Sequence, residues 1–446
     1  MVGRSRAPLA VAATIVTCAI VAAAAWPHYV AQTSDAAAAA ALPTMAPVVA
    51  DYRDRDKLVA FWERATDEHH RGDMISPRVL AEQYLQRYRE RMDIDDVLRA
   101  EKAARLALAA QPVGNLPAEL ELASIDLTLH RFHDAIAVTK HVESYDGGDP
   151  SMSVREASLD LEVGDYPRAA RLLGSVPEKA RDDAWRVVDS RLLELNGHLA
   201  DARELLAVAS AYQNSNFDAP AQSRAWYFFR AGEMAFEAGD NDVAIGDERQ
   251  ALAIFPRYAD AGRDLARFEC ALHDWKQCLA DAGASAAVVP YPETLGYMVD
   301  AQHALGDDGA ARQTDDLIRA EAKLGDAQHV TDRLLALYEA DHHEATQTAY
   351  AIARGELAAR DDVFTDDTLA WAAAMDGRWS EARLASLRAR RLHTENSLID
   401  YHAAVIALHT GHRDEAKALF ERALARNPAF HQAFADDARA QLARLG

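Results

Sequence analysis

Residues 401–428 read YHAAVIALHTGHRDEAKALFERALARNP, and the layout of this stretch decides the fold. Tyr401 to His409 predicts one helix, Gly411-His412-Arg413-Asp414 a tight turn, Glu415 to Arg426 a second helix, and Asn427-Pro428 a stop. Proline ends the second helix because it lacks the backbone N–H and disfavours helix in the residue before it.

The same layout recurs upstream. With the turn residue as anchor, the series is Asp95, His130, Gly164, Gly197, Gly239, His273, Gly306, Ala340, Gly377 and Gly411, at spacings of 35, 34, 33, 42, 34, 33, 34, 37 and 34. Seven of the nine spacings lie within one residue of 34, so the chain is built from a repeat of that length. Five positions after the anchors stand Ala100, Ala135, Ala169, Ala202, Ala244, Cys278, Ala311, Ala345, Ala382 and Ala416. Twelve after them, Ala107, Val142, Val176, Ala209, Ala251, Ser285, Ile318, Ile352, Ala389 and Ala423 are all small or apolar. Seventeen after them, proline recurs at 112, 256, 290 and 428. Small residues at fixed places let two helices approach closely, which predicts paired helices stacked in series.

Composition agrees. Ala makes up about a fifth of the 446 residues, aromatic residues are 7%, and Gly and Pro number 21 and 15. Such a chain favours helix nearly everywhere and has too few β-branched and aromatic residues for a large sheet, so it reads as all-α. The 41 Arg to 7 Lys, with the Ala bias, suggest a GC-rich bacterial genome. A formal net charge of -22 repels phosphate backbones and excludes nucleic acid as the expected partner.

In its 34-residue helix-turn-helix, with Gly at the turn, Ala soon after and Pro at the end, the chain resembles the tetratricopeptide repeat (TPR) family, and specifically its uncharacterised bacterial multi-repeat members. The resemblance implies an α-solenoid, a right-handed superhelix of helix pairs whose first helices line a concave groove that receives a peptide. About ten repeats are expected over 81–430, after a helical lead-in at 51–80, with a capping helix at 431–446.

The N-terminus reads differently. Arg4 and Arg6 precede an uncharged run from Ala7 to Trp26, about 20 residues and long enough as a helix to cross a hydrocarbon core. Residues 1–31 are therefore expected to form a hydrophobic helix, either a single-pass anchor in the cytoplasmic membrane or a signal cleaved after Ala25 or Ala36. Both readings export the body, and 32–50 read as an Ala- and Pro-rich linker.

The sequence holds no Gly-rich phosphate loop, no His-Glu-x-x-His pair, no Gly-x-Ser-x-Gly elbow and no Cys-x-x-Cys, so no enzyme and no cofactor is expected. Histidine stands out: there are 17, and His130, His133, His198, His273, His342, His343 and His412 fall on or near turn anchors. They read either as polar residues suited to tight turns, or as an edge that senses metal or pH, with His130 and His133, or His342, His343 and Glu344, sharing an ion. Cys270 and Cys278 read either as a disulfide of an exported protein or as small buried residues.

Projecting the first helices onto the concave side gives Trp226, Phe229, Glu233, Phe236, Glu237, Asp260, Arg263, Arg267, Asp300 and His303, then Tyr338, Phe364, Trp371 and Tyr401. Aromatic anchors beside paired charges suit a peptide or protein partner, although the same aromatics also serve as core between repeats. The expected function is a noncatalytic interaction scaffold of the bacterial cell envelope, and the alternative is an extracytoplasmic metal-handling or metal- or pH-sensing protein.

Overall fold

The computed structural model describes residues 52–68, 72–146, 148–216, 218–328 and 333–446. Among them are twenty-two α-helices and no strand: α1 Arg55–Glu68, α2 Ile75–Arg91, α3 Ile94–Ala110, α4 Leu116–Thr128, α5 Phe132–Asp146, α6 Pro150–Val163, α7 Tyr166–Ser175, α8 Asp183–Leu195, α9 Leu199–Ser215, α10 Ala221–Glu237, α11 Asn241–Ile254, α12 Ala259–Ala271, α13 Trp275–Ala286, α14 Pro292–Ala304, α15 Asp308–Gln328, α16 Arg333–Asp341, α17 Thr346–Glu356, α18 Val363–Met375, α19 Trp379–Ala389, α20 Ser397–His409, α21 Arg413–Arg426 and α22 Phe434–Leu445. Helices α2 to α21 form ten helix-turn-helix pairs, flanked by α1 and α22. The protein is a helical-repeat solenoid.

The two columns read from sequence are its packing code. All ten residues twelve positions after the anchors are buried, and so are nine of the ten at five positions after. Alanine there lets the paired helices close to the 8–10 Å at which backbones interlock. Ala345 is the exception: it is exposed with φ 34°, and Ala349 takes the buried place.

The turns share one hydrogen-bond pattern. In nine of them the residue after the anchor donates its N–H to the carbonyl five residues earlier, as in Asp165 to Asp160 and His412 to Ala407, both 2.8 Å. This closure needs a left-handed residue, supplied by Gly164, Gly197, Gly239, Gly306, Gly377 and Gly411 and equally by His130, His273 and His343. Two anchors expected from sequence are thereby corrected. The first turn is at Met92, not Asp95, and the eighth is at His343, not Ala340, which lies inside α16.

The solenoid also closes on itself. Turns of the first half meet, some 160 to 200 residues on, the loops that join successive pairs in the second half. Val363 donates its N–H to the Tyr166 hydroxyl at 2.9 Å, the Thr394 hydroxyl donates to the Leu195 carbonyl at 2.6 Å, and Asn427 donates to the Phe236 carbonyl at 2.8 Å. A methyl group on Gly164, Gly197 or Gly239 would collide with the carbonyl of Asp361, His393 or Arg426. Further along, His273 Nε2 meets the Gln432 carbonyl at 2.8 Å, and Met92 packs on Val289 and Tyr291. The chain is therefore a coil whose second turn sits directly on its first.

The expectation of a single-pass protein in the cytoplasmic membrane is corrected. Among the described residues no helix is long and apolar enough to cross a membrane. The run at 1–31 on which that expectation and the cleaved-signal alternative rested, and the linker at 32–50, lie outside the described residues.

Candidate functional site

First helices face the inside of the coil, and the tightness of the coil decides what they present there. Trp226, Phe229, Phe236, Asp260, Arg263, Trp371 and Tyr401 are buried. Phe236 stacks on Phe268 with ring centroids 4.2 Å apart, Phe229 meets Tyr258 edge-on, and Trp226 meets Tyr227 edge-on. Trp371 stacks on His402 at 4.2 Å and donates from Nε1 to Asp341 at 2.7 Å, while Tyr401 stacks on Phe434 of the capping helix. A partner touching these rings would have to displace them from their own neighbours.

The charges form a ladder along the inner face. Arg230 donates to Glu194 at 2.6 Å and to Glu233, and Arg191 donates to Glu194 at 2.7 Å. Arg263 lies between Asp260 and Asp264, 3.1 Å from each, with Glu293 at 3.5 Å. Arg267 lies over the rings of Phe236 and Phe268, 3.5 Å from Asp264 and 3.9 Å from Glu237. Burial pushes Glu237 up to about 7 and Asp260 to about 6, with the neighbouring arginines opposing the rise. Arg267 keeps 23% of its side-chain surface, Glu237 17% and Glu293 26%, so the interior is narrow but wetted. Beside Arg191, Arg230 and Trp226 it leaves a cavity of about 20 Å³, room for one water.

A second cluster ties the capping segment to the ladder. His342 donates from Nδ1 to the Tyr338 carbonyl and from Nε2 to Asp300 at 3.0 Å. Burial works against its charge, but the Asp300 bond prevails and raises it to about 9, so the ring is an imidazolium. Gln432 donates to the other Asp300 oxygen at 2.7 Å. His431, 3.9 Å from Asp341, accepts at Nδ1 from the N–H groups of Ala433 and Phe434, and burial holds it down to about 3. His303 is exposed at the end of α14, 2.9 Å from Asp308.

Three of the turn histidines, His130, His273 and His342, are engaged in ring packing or hydrogen bonds. His130 stacks on Phe132 and His273 on Trp275, each in the left-handed conformation of its turn. His342 is committed to Asp300, whereas His343 and Glu344 belong to the turn itself. Among the described residues no three His, Cys, Asp or Glu side chains are grouped so as to hold a metal ion, His342, His343 and Glu344 included. Cys270 and Cys278 form a disulfide between α12 and α13, buried on both sides. Sequence reasoning missed Arg191, Glu194, Arg230, Asp341 and His431. The signal for the first three was charge on the inward side of α8 and α10, where an amphipathic helix should be apolar.

No protein-family model matches the chain, and no curated protein does. Among solved structures it is similar to the APC/C hetero-tetramer Cut9-Hcn1, with 13% identity, a TM-score of 0.33, and 88% of this chain and 94% of that chain covered. It is also similar to a human IFIT1 dimer with PPP-AAAA, with 13% identity, a TM-score of 0.43, and 83% and 86% covered. At such scores the likeness adds nothing to the helical-repeat fold described above.

Proposed function

We propose that the protein is a noncatalytic scaffold that binds a protein or peptide partner. The observation that carries this reading is the wetted inner face of the ten-pair coil. There Glu162, Glu233, Glu237, Glu293, Asp300 and Asp341 each keep between 17% and 26% of their side-chain surface, against Arg191, Arg267 and His342 among the bases. Acids outnumber bases on that face, so the segment it attracts is basic and extended, and orientation comes from charge while the buried aromatics form the floor. A net charge of -22 argues in the same direction and against nucleic acid.

The test is to pan a random peptide library against the full chain. Enrichment of Lys- and Arg-rich peptides, lost in a Glu237→Gln, Glu293→Gln variant that melts like the parent, supports the assignment. Enrichment that survives the substitutions, or that favours acidic peptides, overturns it.

A further inference from the structure

The contact between the two turns of the coil is made by unlike edges. One edge carries the turns within pairs, and the other carries the loops between pairs. In the first half the turn edge is covered: Gly164, Gly197 and Gly239 each lie against a carbonyl of the second half. In the second half the loop edge is covered: Arg360 has its guanidinium over the Phe132 ring, Thr394 reaches Leu195, and Asn427 is buried between Phe236 and Asn241.

Among the described residues, much of the remaining edges is bare. On the second half, Gly306, Gly377 and Gly411 repeat the conformation of the covered glycines, with φ between 76° and 86°, yet have nothing within 4 Å of where a Cβ would stand. Leu305 beside them is 42% exposed. On the first half, the loops at Pro112 to Gly114 and Pro177 to Lys179 are exposed, and Val113 is 74% exposed. Val113 stands two residues before the start-cap Asn115, the place that Arg360 and Thr394 hold before Asp362 and Asn396, and those two residues are the ones that reach across to the next turn of the coil.

The molecule thus ends in two faces, each of the kind that pairs with the other inside it. We propose that a second copy of this chain stacks on the first head to tail, its first-half loops seated on the second-half turns around Gly306, Gly377 and Gly411, so that the coil continues from copy to copy. Because the faces are unlike, the contact does not close on a two-fold axis and stacking is open-ended. Like net charge on every copy opposes it at low ionic strength, so it strengthens as salt screens that repulsion. This goes beyond the scaffold reading and does not depend on what the inner face binds.

Sedimentation of the full chain at about 0.15 M and 0.5 M salt tests it. The average mass should climb with protein concentration beyond that of a dimer, and climb more at the higher salt. A loop-face variant, Val113→Arg with Glu178→Arg, and a turn-face variant, Leu305→Arg with Gly377→His, each keep one good face. Each alone should run as a monomer, and an equimolar mixture of the two should give a 1:1 dimer. A parent that stays monomeric up to roughly 1 mM overturns the proposal, as do variants that associate like the parent or a mixture that forms no dimer.

Discussion

Asn427, one residue past the end of α21, donates its side-chain amide to the carbonyl of Phe236 in α10, 191 residues earlier, at 2.8 Å. The same amide group also faces Asn241. A side chain that is 1% exposed thus joins the two turns of the coil.

Asn427→Ala leaves the Phe236 carbonyl short of a donor at that contact. The expected cost is about 1–3 kcal/mol, read as a lower denaturant midpoint in chemical unfolding. A change within a few tenths of a kcal/mol would mean that the contact does not hold the turns together.

Glycines in the same conformation should respond unequally to one substitution. Gly197 has φ 73° and lies against the His393 carbonyl, whereas Gly377 has φ 76° and open space. Histidine already occupies this conformation at three turns, so Gly377→His should cost about 1 kcal/mol or less, the ordinary penalty of leaving glycine. Gly197→His must also push the two turns apart and should cost several-fold more in paired thermal melts.

Glu248 on α11 is wholly buried, neither carboxylate oxygen has a hydrogen-bond partner, and Gly232 makes room for it. Burial first, then Asp264 and Glu233, hold its acid form well above the usual carboxylate range. A group whose folded pKa is raised binds its proton more tightly when folded, so stability falls as pH rises above the unfolded value of about 4.5. Glu248→Gln should therefore stabilise the protein by about 1–3 kcal/mol at neutral pH, with the gain shrinking toward pH 4. Equal melting temperatures for parent and variant at pH 8 would refute the unpaired carboxyl.

Acid should act through His431. Held neutral in the fold to about pH 3, it takes up a proton on unfolding below about 6.5, so stability declines as pH falls through that window, by at most about tenfold in the folding equilibrium per unit. His342 works at the other end: its stabilising charge is complete below about 6.5 and is lost as pH rises through about 9. The charged and titratable groups that face these rings include Asp300, His402, Asp341 and Arg267. His431→Asn should flatten the acid limb and leave the alkaline limb unchanged.

The Cys270–Cys278 bridge closes a loop of nine residues across the His273 turn. By loop entropy its reduction should cost about 2–3 kcal/mol, and thiol reagents should find neither sulfur until the protein is unfolded. Two reactive thiols in the native protein would refute the bridge.

How much of this was legible beforehand depended on the range of the interaction. The small-residue column from Ala107 to Ala423 is a contact between helices adjacent in sequence, so periodicity alone exposed it, and every member is buried. The turns at Met92 and His343 were misplaced by three residues: neither carries the glycine that marks a left-handed cap, and the alanines five after the chosen anchors, Ala100 and Ala345, drew the register away from them. Tyr166 against Val363 leaves no local trace, since it arises only when nearly six repeats have carried the chain once around. For the same reason the sequence could not show that Trp226, Phe236 and Trp371 are buried against their neighbours. Aromatics beside charges describe an open groove and a filled interior equally well.

A solenoid whose repeats touch only their neighbours can fray from either end, one unit at a time. Ties such as Tyr166 to Val363, Leu195 to Thr394 and Phe236 to Asn427 change that behaviour. The early repeats cannot reach their final energy until the late ones exist, so folding waits for the C-terminal half and is slower than the local helix content suggests. Once formed, the two halves should melt together in one cooperative step, and a chain cut short before Asn427 should lose stability in its distant N-terminal repeats as well as at the cut.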